Sequence, residues 1–137
     1  MRQSDLDVTP LSDALQGRRL DVIVSGSIGA VESVKFIRCL RRLGAEVYPW
    51  LTEGGSQFIT PTSLEWAAAH PVTQSFAGTA SHISQNDAVV VAPASANIIA
   101  QCAQGLSGTP ATTLLASYLG SDKPIFMLPN MHGILSR

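Results

Sequence analysis

The sequence is short of charge. Its 137 residues include 9 lysines and arginines and 10 aspartates and glutamates, so 14% of the chain is charged and the formal net charge is −1. Ordinary soluble domains carry about 25% charged residues. A nearly neutral chain lacks the basic surface of a nucleic-acid-binding protein, which excludes that class. The deficit also predicts that part of the surface is buried against copies of the same chain.

Long hydrophobic runs and cysteine pairs are lacking as well. No apolar run approaches the roughly 18 residues of a membrane-spanning helix, so we expect no membrane association. The N-terminus has no apolar segment of a secretory signal, and the expected location is the cytoplasm. The two cysteines, Cys39 and Cys102, lie far apart within predicted helices, and we interpret both as buried thiols.

Short apolar strands alternate with helical segments along most of the chain. Apolar runs predict buried strands over residues 20–24, 45–51, 87–92 and 123–129. Helices are predicted over residues 29–43, in two short pieces over 53–69, from about 97 to 105, and over 110–119. This alternation is typical of an α/β fold with a parallel sheet. Residues 1–18 are predicted to form an N-terminal arm and residues 19–137 a single domain.

Small and polar residues follow the first three predicted strands. They are Ser25, Gly26 and Ser27 after the first strand, Thr52 after the second, and Ser95, Ala96 and Asn97 after the third. Ligands of open parallel sheets bind at the carboxyl ends of the strands. Glycine, hydroxyl groups and the N–H groups of a helix start suit a phosphate. The three turns therefore predict a site for a phosphorylated ligand.

The first turn matches neither of two common nucleotide-binding motifs. Gly26 and Gly29 have G-x-x-G spacing, whereas the dinucleotide-binding fingerprint is G-x-G-x-x-G. A P-loop is excluded because no Gly-Lys-Ser/Thr sequence follows the first strand.

The three turns together resemble a known family. Residues 25–30 read Ser-Gly-Ser-Ile-Gly-Ala, Thr52 is followed by Phe-Ile-Thr-Pro at 58–61, and residues 92–97 read Ala-Pro-Ala-Ser-Ala-Asn. In this order they are similar to the FMN-binding flavoproteins that include phosphopantothenoylcysteine decarboxylase, lantibiotic peptidyl-cysteine decarboxylases and dihydromethanopterin-reductase-like members. The resemblance covers about residues 20–132. It implies a Rossmann-like, flavodoxin-type three-layer sandwich that assembles as a homotrimer or a multiple of trimers, with FMN at the subunit interface.

The resemblance also implies roles for individual residues. The turn of Ser25, Gly26 and Ser27 and the Thr52 hydroxyl would surround the phosphate and ribityl chain, and Ser95, Ala96 and Asn97 would close the phosphate site. His82 matches the family's active-site base.

Two features depart from the decarboxylase pattern. His132 stands where the decarboxylases have an asparagine that helps to hold the substrate carboxylate. The sequence also ends at Arg137, before the flap that carries the decarboxylases' substrate-clamping cysteine. Both departures weaken the expectation of cysteinyl decarboxylation, and neither changes the expectation of FMN binding.

Three functions remain open on this basis. The main hypothesis is an FMN-dependent oxidoreductase that passes reducing equivalents to a small planar, pterin-like substrate, with His82 or His132 as proton donor. The alternatives are an FMN-dependent decarboxylase of a cysteine-derived thiol and a flavin carrier without turnover. It is also open whether one of four side chains contacts the flavin ring, namely Trp50, Phe58, Trp66 or Met131. Core or interface packing is the expected role of each.

Overall fold

A computed structural model describes residues 5–75 and 85–130 of the chain. Within these ranges, four parallel strands form a sheet. The strands are β1 (Arg19–Val24), β2 (Glu46–Leu51), β3 (Ala88–Ala94) and β4 (Ile125–Pro129), in the spatial order β2-β1-β3-β4. Ile23 lies opposite Trp50 on one side and Val91 on the other. The connections run to opposite sides of β1, so the switch point at which such sheets bind ligands lies between β1 and β3.

In the described part of the chain, four α-helices cover the two faces of this sheet. They are α1 (Ser33–Arg42), α2 (Pro61–Ala68), α3 (Ala96–Ala103) and α4 (Pro110–Gly120). Val22 and Val24 pack with Ile37 of α1 and Leu64 of α2. The alternate residues of the strands, among them Ile23, pack with α3 and α4 on the opposite face. The helix–sheet–helix arrangement confirms the predicted three-layer α/β fold.

The segment predicted as one helix over residues 29–43 is divided. A 3-10 helix over Ile28–Glu32 precedes α1, and the Ser33 hydroxyl donates to the carbonyl of Ala30 at 2.7 Å where they join. Ala30 is fully buried, and a Cβ on Gly29 would lie 2.9 Å from the Asn130 side chain. Short 3-10 turns of this kind are frequent at the start of an α-helix.

The other elements follow the predicted order with small changes at their ends. Thr60 caps α2 and accepts from the Ser63 N–H, with Pro61 as the first helical residue, as predicted. Strand β3 continues through Pro93, which lies within an irregular part of its pairing with β4. Such irregular positions tolerate proline because no ladder donor is needed there. A second 3-10 helix covers Gly55–Gln57.

The expectation of two buried thiols is wrong for Cys39. Its position on α1 is about 200° around the helix from the buried Ile37, and the side chain is exposed. Cys102 of α3 is half-buried against the core of its face, and this burial raises the pKa of its thiol.

Residues 5–18 contain no helix or strand and lie against α1. The backbone N–H groups of Leu11 and Leu15 donate to the carbonyls of Arg42 and Leu43, each at 2.8 Å. The Arg38 guanidinium donates to the carbonyl of Asp7 at 3.1 Å. The bonds from Leu11 and Leu15 use carbonyls that the end of α1 leaves without helical donors. Within the described ranges, no helix is long and apolar enough to cross a membrane.

Candidate functional site

A cleft of about 780 Å³ opens at the carboxyl edge of the sheet. Ligand-binding pockets have typical volumes of about 300–1,000 Å³. The cleft contains five of the seven turn residues predicted for the site: Ser25, Gly26, Thr52, Ser95 and Asn97. Its remaining wall comes from the end of β2, residues 73–75, α3 and the start of α4.

The turns after β1 and β2 are in direct backbone contact. A Cβ on Gly26 would lie 2.9 Å from the carbonyl carbon of Gly54, and a Cβ on Gly55 would lie 2.5 Å from the carbonyl oxygen of Val24. Real Cβ atoms do not approach so closely, so the backbone would have to move. Glycine at position 26 therefore lets the two turns meet. In the sequence, the adjacent glycines Gly54 and Gly55 were the feature from which this contact could have been predicted.

Ser25 joins the first turn to the third. It is 1% exposed, its hydroxyl donates to the carbonyl of Pro93 at 2.5 Å, and the same oxygen accepts from the Ser95 N–H at 2.9 Å. Both contacts join Ser25 to the protein backbone, so its side chain positions the first turn relative to the third. Contact between Ser25 and a cofactor stays a prediction.

Thr52 fixes the turn that follows β2. Its hydroxyl oxygen accepts from the Gly55 N–H at 2.9 Å, and its own N–H donates to the carbonyl of Val24 at 3.1 Å. These bonds hold the half-buried Thr52 beside the first turn, on the cleft wall.

The third turn presents the start of α3 to the cleft. Ser95 is the N-cap, and its hydroxyl accepts from the Ile98 N–H at 3.2 Å. Ala96 and Asn97 occupy the first turn, where backbone N–H groups have no helical acceptor. Asn97 is exposed and lines the cleft. Among the described lining residues there is no lysine or arginine, so an anion there would be met by neutral dipoles.

Ser27 and Ala96 lie outside the lining of the cleft. The Ser27 hydroxyl donates to Oδ1 of Asn130 at 3.0 Å, and the Asn130 N–H donates to the carbonyl of Ala94 at 3.1 Å. The end of β4 therefore braces the first turn. Asn130 was not predicted in this role, although it directly follows the last predicted strand.

One wall of the cleft is apolar and includes Trp50, Ile98 and Ala111. Trp50 is 6% exposed, and its indole N–H donates to Oδ1 of Asp21 at 3.0 Å. Asp21 was missed as a significant residue because it stands within an apolar strand. A carboxylate inside the run Leu-Asp-Val-Ile-Val was the available signal.

His82 and His132, the predicted catalytic residues, lie outside the described residues. Their assignment stays a prediction. Within residues 5–75 and 85–130, no group of three or more histidine, cysteine, aspartate or glutamate side chains could hold a metal ion.

Comparison with known proteins gives consistent matches. The sequence profile of the family described as Flavoprotein matches residues 8–135. The chain is 35% identical over 131 residues to the coenzyme A biosynthesis bifunctional protein CoaBC of Thermococcus kodakarensis, covering 90% of this chain and 32% of that protein. It is 34% identical to the Methanocaldococcus jannaschii protein of the same name, covering 88% of this chain and 30% of that protein. The chain thus spans about a third of the length of these relatives.

Solved structures with the same fold include two decarboxylases. The FMN-dependent cysteine decarboxylase SpaF superposes with a TM-score of 0.80 at 24% identity, covering 89% of this chain and 73% of that one. A PPC decarboxylase variant in complex with pantothenoylaminoethenethiol gives a TM-score of 0.72 at 26% identity, with coverages of 86% and 69%. These matches confirm the predicted family resemblance and support FMN as the cofactor. They favour the decarboxylase alternative over the pterin-directed oxidoreductase.

Proposed function

The chain belongs to the Flavoprotein family, and we propose that it is an FMN-dependent decarboxylase that acts on a small cysteine-derived thiol. The observation that carries the proposal is the cleft at the carboxyl edge of the sheet, built from the three turns that carry the family resemblance. The relatives and the decarboxylase neighbours support this reaction over flavin-to-pterin electron transfer.

The described residues fit FMN in size and chemistry. The cleft volume of about 780 Å³ suits a ligand of this kind. The start of α3 and the turn after β1 would hold the phosphate, because their N–H and hydroxyl groups favour an anion without a cationic side chain. The apolar wall would face the isoalloxazine ring and keep water from it. Glu53 is the acidic side chain among the described lining residues, and its negative charge would disfavour a phosphate placed close to it.

The chemistry divides between the cofactor and the chain. When bound, FMN would supply the two-electron oxidation of the thiol-bearing carbon, from which loss of carbon dioxide follows. His82 would take the proton of the substrate thiol as general base. His132 would hold the substrate carboxylate, which requires an N–H directed at it. Ser25 and Thr52 would keep the turns at fixed separation while the substrate reacts.

We also propose that the protein works as a homotrimer or a multiple of trimers. The chain has few charges, and large apolar side chains of the described subunit are exposed, among them Ile28, Phe126 and Leu128. Burial of such side chains between subunits favours association. Light scattering of the purified protein at several concentrations tests this proposal, and a stable monomer would contradict it.

The reaction is tested with protein reconstituted with FMN. Under anaerobic conditions, a cysteine-derived substrate such as phosphopantothenoylcysteine should bleach the flavin absorbance and release carbon dioxide in equal amount. Protein that cannot be reconstituted with FMN would overturn the cofactor proposal. If the bound flavin is reduced and reoxidised only with a reductant and a dihydropterin, the oxidoreductase hypothesis is supported instead. If the flavin reacts with neither substrate, the flavin-carrier hypothesis is supported.

The predicted phosphate site is tested by two substitutions and a matched control. Gly26→Ala should weaken FMN binding at least ten-fold, because the added methyl group forces the turns after β1 and β2 apart. Asn97→Ala should weaken binding with little change in melting temperature, since Asn97 is exposed. Gly120→Ala makes the same change as Gly26→Ala in open space at the end of α4 and should leave FMN affinity unchanged. Full FMN affinity in both site variants would contradict the placement.

The proposed catalytic role of His82 needs a separate variant. His82→Asn should retain FMN and lower the rate of carbon dioxide release, because asparagine cannot act as a general base near neutral pH. An unchanged rate would remove His82 from the mechanism.

A further inference from the structure

A buried carboxylate lies beneath the cleft, in the middle of the sheet. Asp21 of β1 is 2% exposed, and its carboxylate accepts hydrogen bonds from three neutral donors among the described residues. The Trp50 indole N–H donates to Oδ1 at 3.0 Å, the Asn86 amide donates to the same oxygen at 3.0 Å, and the Tyr118 hydroxyl donates to Oδ2 at 2.6 Å. Burial of a carboxylate is costly unless such partners satisfy it.

The sheet itself gives no reason for a carboxylate at this position. Val89 of β3 lies opposite Asp21 and is fully buried, and Ile23 on the same face packs into the apolar core. An apolar side chain at position 21 would continue that core. The donors come from three separate parts of the chain, so the carboxylate fixes their positions relative to one another.

Trp50 is the donor that reaches the cleft. It lies on the same face of the sheet as its pairing partner Ile23 and lines the cleft with Ile98 and Ala111. Thr52 follows it by two residues and lies at the polar end of the same cleft. The uncovered part of the indole therefore adjoins the space that the ligand would occupy. Rotation of the ring would change the shape of that wall, and the bond to Asp21 opposes such rotation.

We propose that Asp21 is a positioning residue for the cofactor: by accepting the indole N–H, it holds Trp50 as the aromatic wall that contacts the flavin ring. This inference rests on the proposed binding of FMN in the cleft. It assigns Trp50 a contact with the cofactor in addition to its packing role. Aromatic rings provide large, rigid contact areas with defined geometry, which suits a planar ligand.

The fluorescence lifetime of bound FMN tests the contact between Trp50 and the flavin ring. An indole in contact with an excited flavin quenches it by electron transfer, whereas a distant tryptophan does not. The complex of FMN with the wild-type protein should therefore have a short emission lifetime. Trp50→Phe should lengthen the lifetime several-fold. Trp66→Phe is the matched control, because Trp66 packs against Arg38 outside the cleft, and this variant should keep the short lifetime.

The role of Asp21 is separated from general stability by two further variants. Asp21→Asn retains an oxygen acceptor for the indole and should keep the short lifetime. Asp21→Val removes the acceptor and should give a longer, heterogeneous lifetime with weaker FMN binding. In case Asp21→Val does not fold, the indole N–H of Trp50 is followed by NMR in apoprotein carrying Trp66→Phe. It should exchange slowly with solvent, and more rapidly when Asp21→Asn is added, because a neutral amide oxygen is the weaker acceptor.

The outcomes separate this inference from the proposed function. Failure of the wild-type protein to bind FMN would overturn the proposed function. FMN binding with the same emission lifetime in wild-type protein and Trp50→Phe would overturn only the flavin contact. Rapid exchange of the Trp50 indole N–H in the Trp66→Phe apoprotein, with Asp21 in place, would overturn the anchoring by Asp21.

Discussion

The two faces of the sheet are built from different chemistry. On the face covered by α1 and α2, the core is an apolar cluster with Ile37 and Leu64 fully buried, and the buried Ser33 bonds locally, to the carbonyl of Ala30. On the face covered by α3 and α4, the apolar cluster surrounds the hydrogen-bonded group of Asp21, Asn86 and Tyr118. The cleft's apolar wall belongs to this second face. One face thus contributes mainly stability, and the other also fixes the geometry of the site.

The largest expected effect comes from the apolar face. Leu64→Ala removes a fully buried side chain from between α2 and the sheet. The free energy of unfolding should fall by about 2–5 kcal/mol, because the lost transfer energy adds to the cost of the cavity. Urea denaturation measures this loss, and FMN titration of the folded protein should give the wild-type affinity. A loss of FMN binding with stability intact would contradict the division between the faces.

Tyr118→Phe probes the hydrogen-bonded face. The variant keeps the ring and removes the hydroxyl that donates to Asp21, while the indole and amide donors remain. The free energy of unfolding should fall by about 1–3 kcal/mol, the usual cost of leaving a buried polar group short of a partner. Tyr48→Phe is the control, since its hydroxyl bonds are exposed, and its effect should stay within about 0.5 kcal/mol. Equal losses in both variants would contradict a special role for the buried group.

Thr109→Ala tests the helix start that borders the cleft. Thr109 caps α4 and exchanges hydrogen bonds with Thr112 in a capping box. Removing the cap should lower the free energy of unfolding by about 1 kcal/mol. Thr109→Ser keeps the hydroxyl and should recover most of that stability in thermal denaturation. A serine variant as unstable as the alanine variant would show that the hydroxyl is not the stabilising group.

The sequence was sufficient to predict the layers and the turns of the site. The run Val89-Val90-Val91 can only be buried on both faces, and strands of that kind alternate with helices in a parallel sheet. Once the strands are parallel, the turns after them must meet at one edge. The positions of Ser25, Thr52 and Ser95 on one cleft follow from this rule.

The parts that could not be predicted depend on contacts between distant residues. Asp21 lies 29 positions from Trp50 and 97 from Tyr118, and no local pattern links a carboxylate to such partners. The need for glycine at position 26 arises from the Gly54 backbone, which belongs to a different turn. Similarly, the limited space beside Gly29 arises from the side chain of Asn130, which comes from the end of β4. Periodicity reports which face of an element is buried and gives no information about its individual neighbours.

The smallest expected effect is a difference in thiol reactivity between two cysteines, one on a helix of each face. Cys39 of α1 is exposed, whereas burial raises the pKa of the Cys102 thiol on α3. At mildly alkaline pH, a thiol reagent should therefore modify Cys39 first, and the Cys102 rate should rise only at higher pH, because the thiolate is the reacting form. Since the folded state favours the neutral Cys102 thiol, its small contribution to stability is present below the ordinary thiol pKa and is lost as the pH rises through the raised value. Cys39→Ser and Cys102→Ser assign the two phases of labelling, and a fast phase that survives in Cys39→Ser would reverse the assignment.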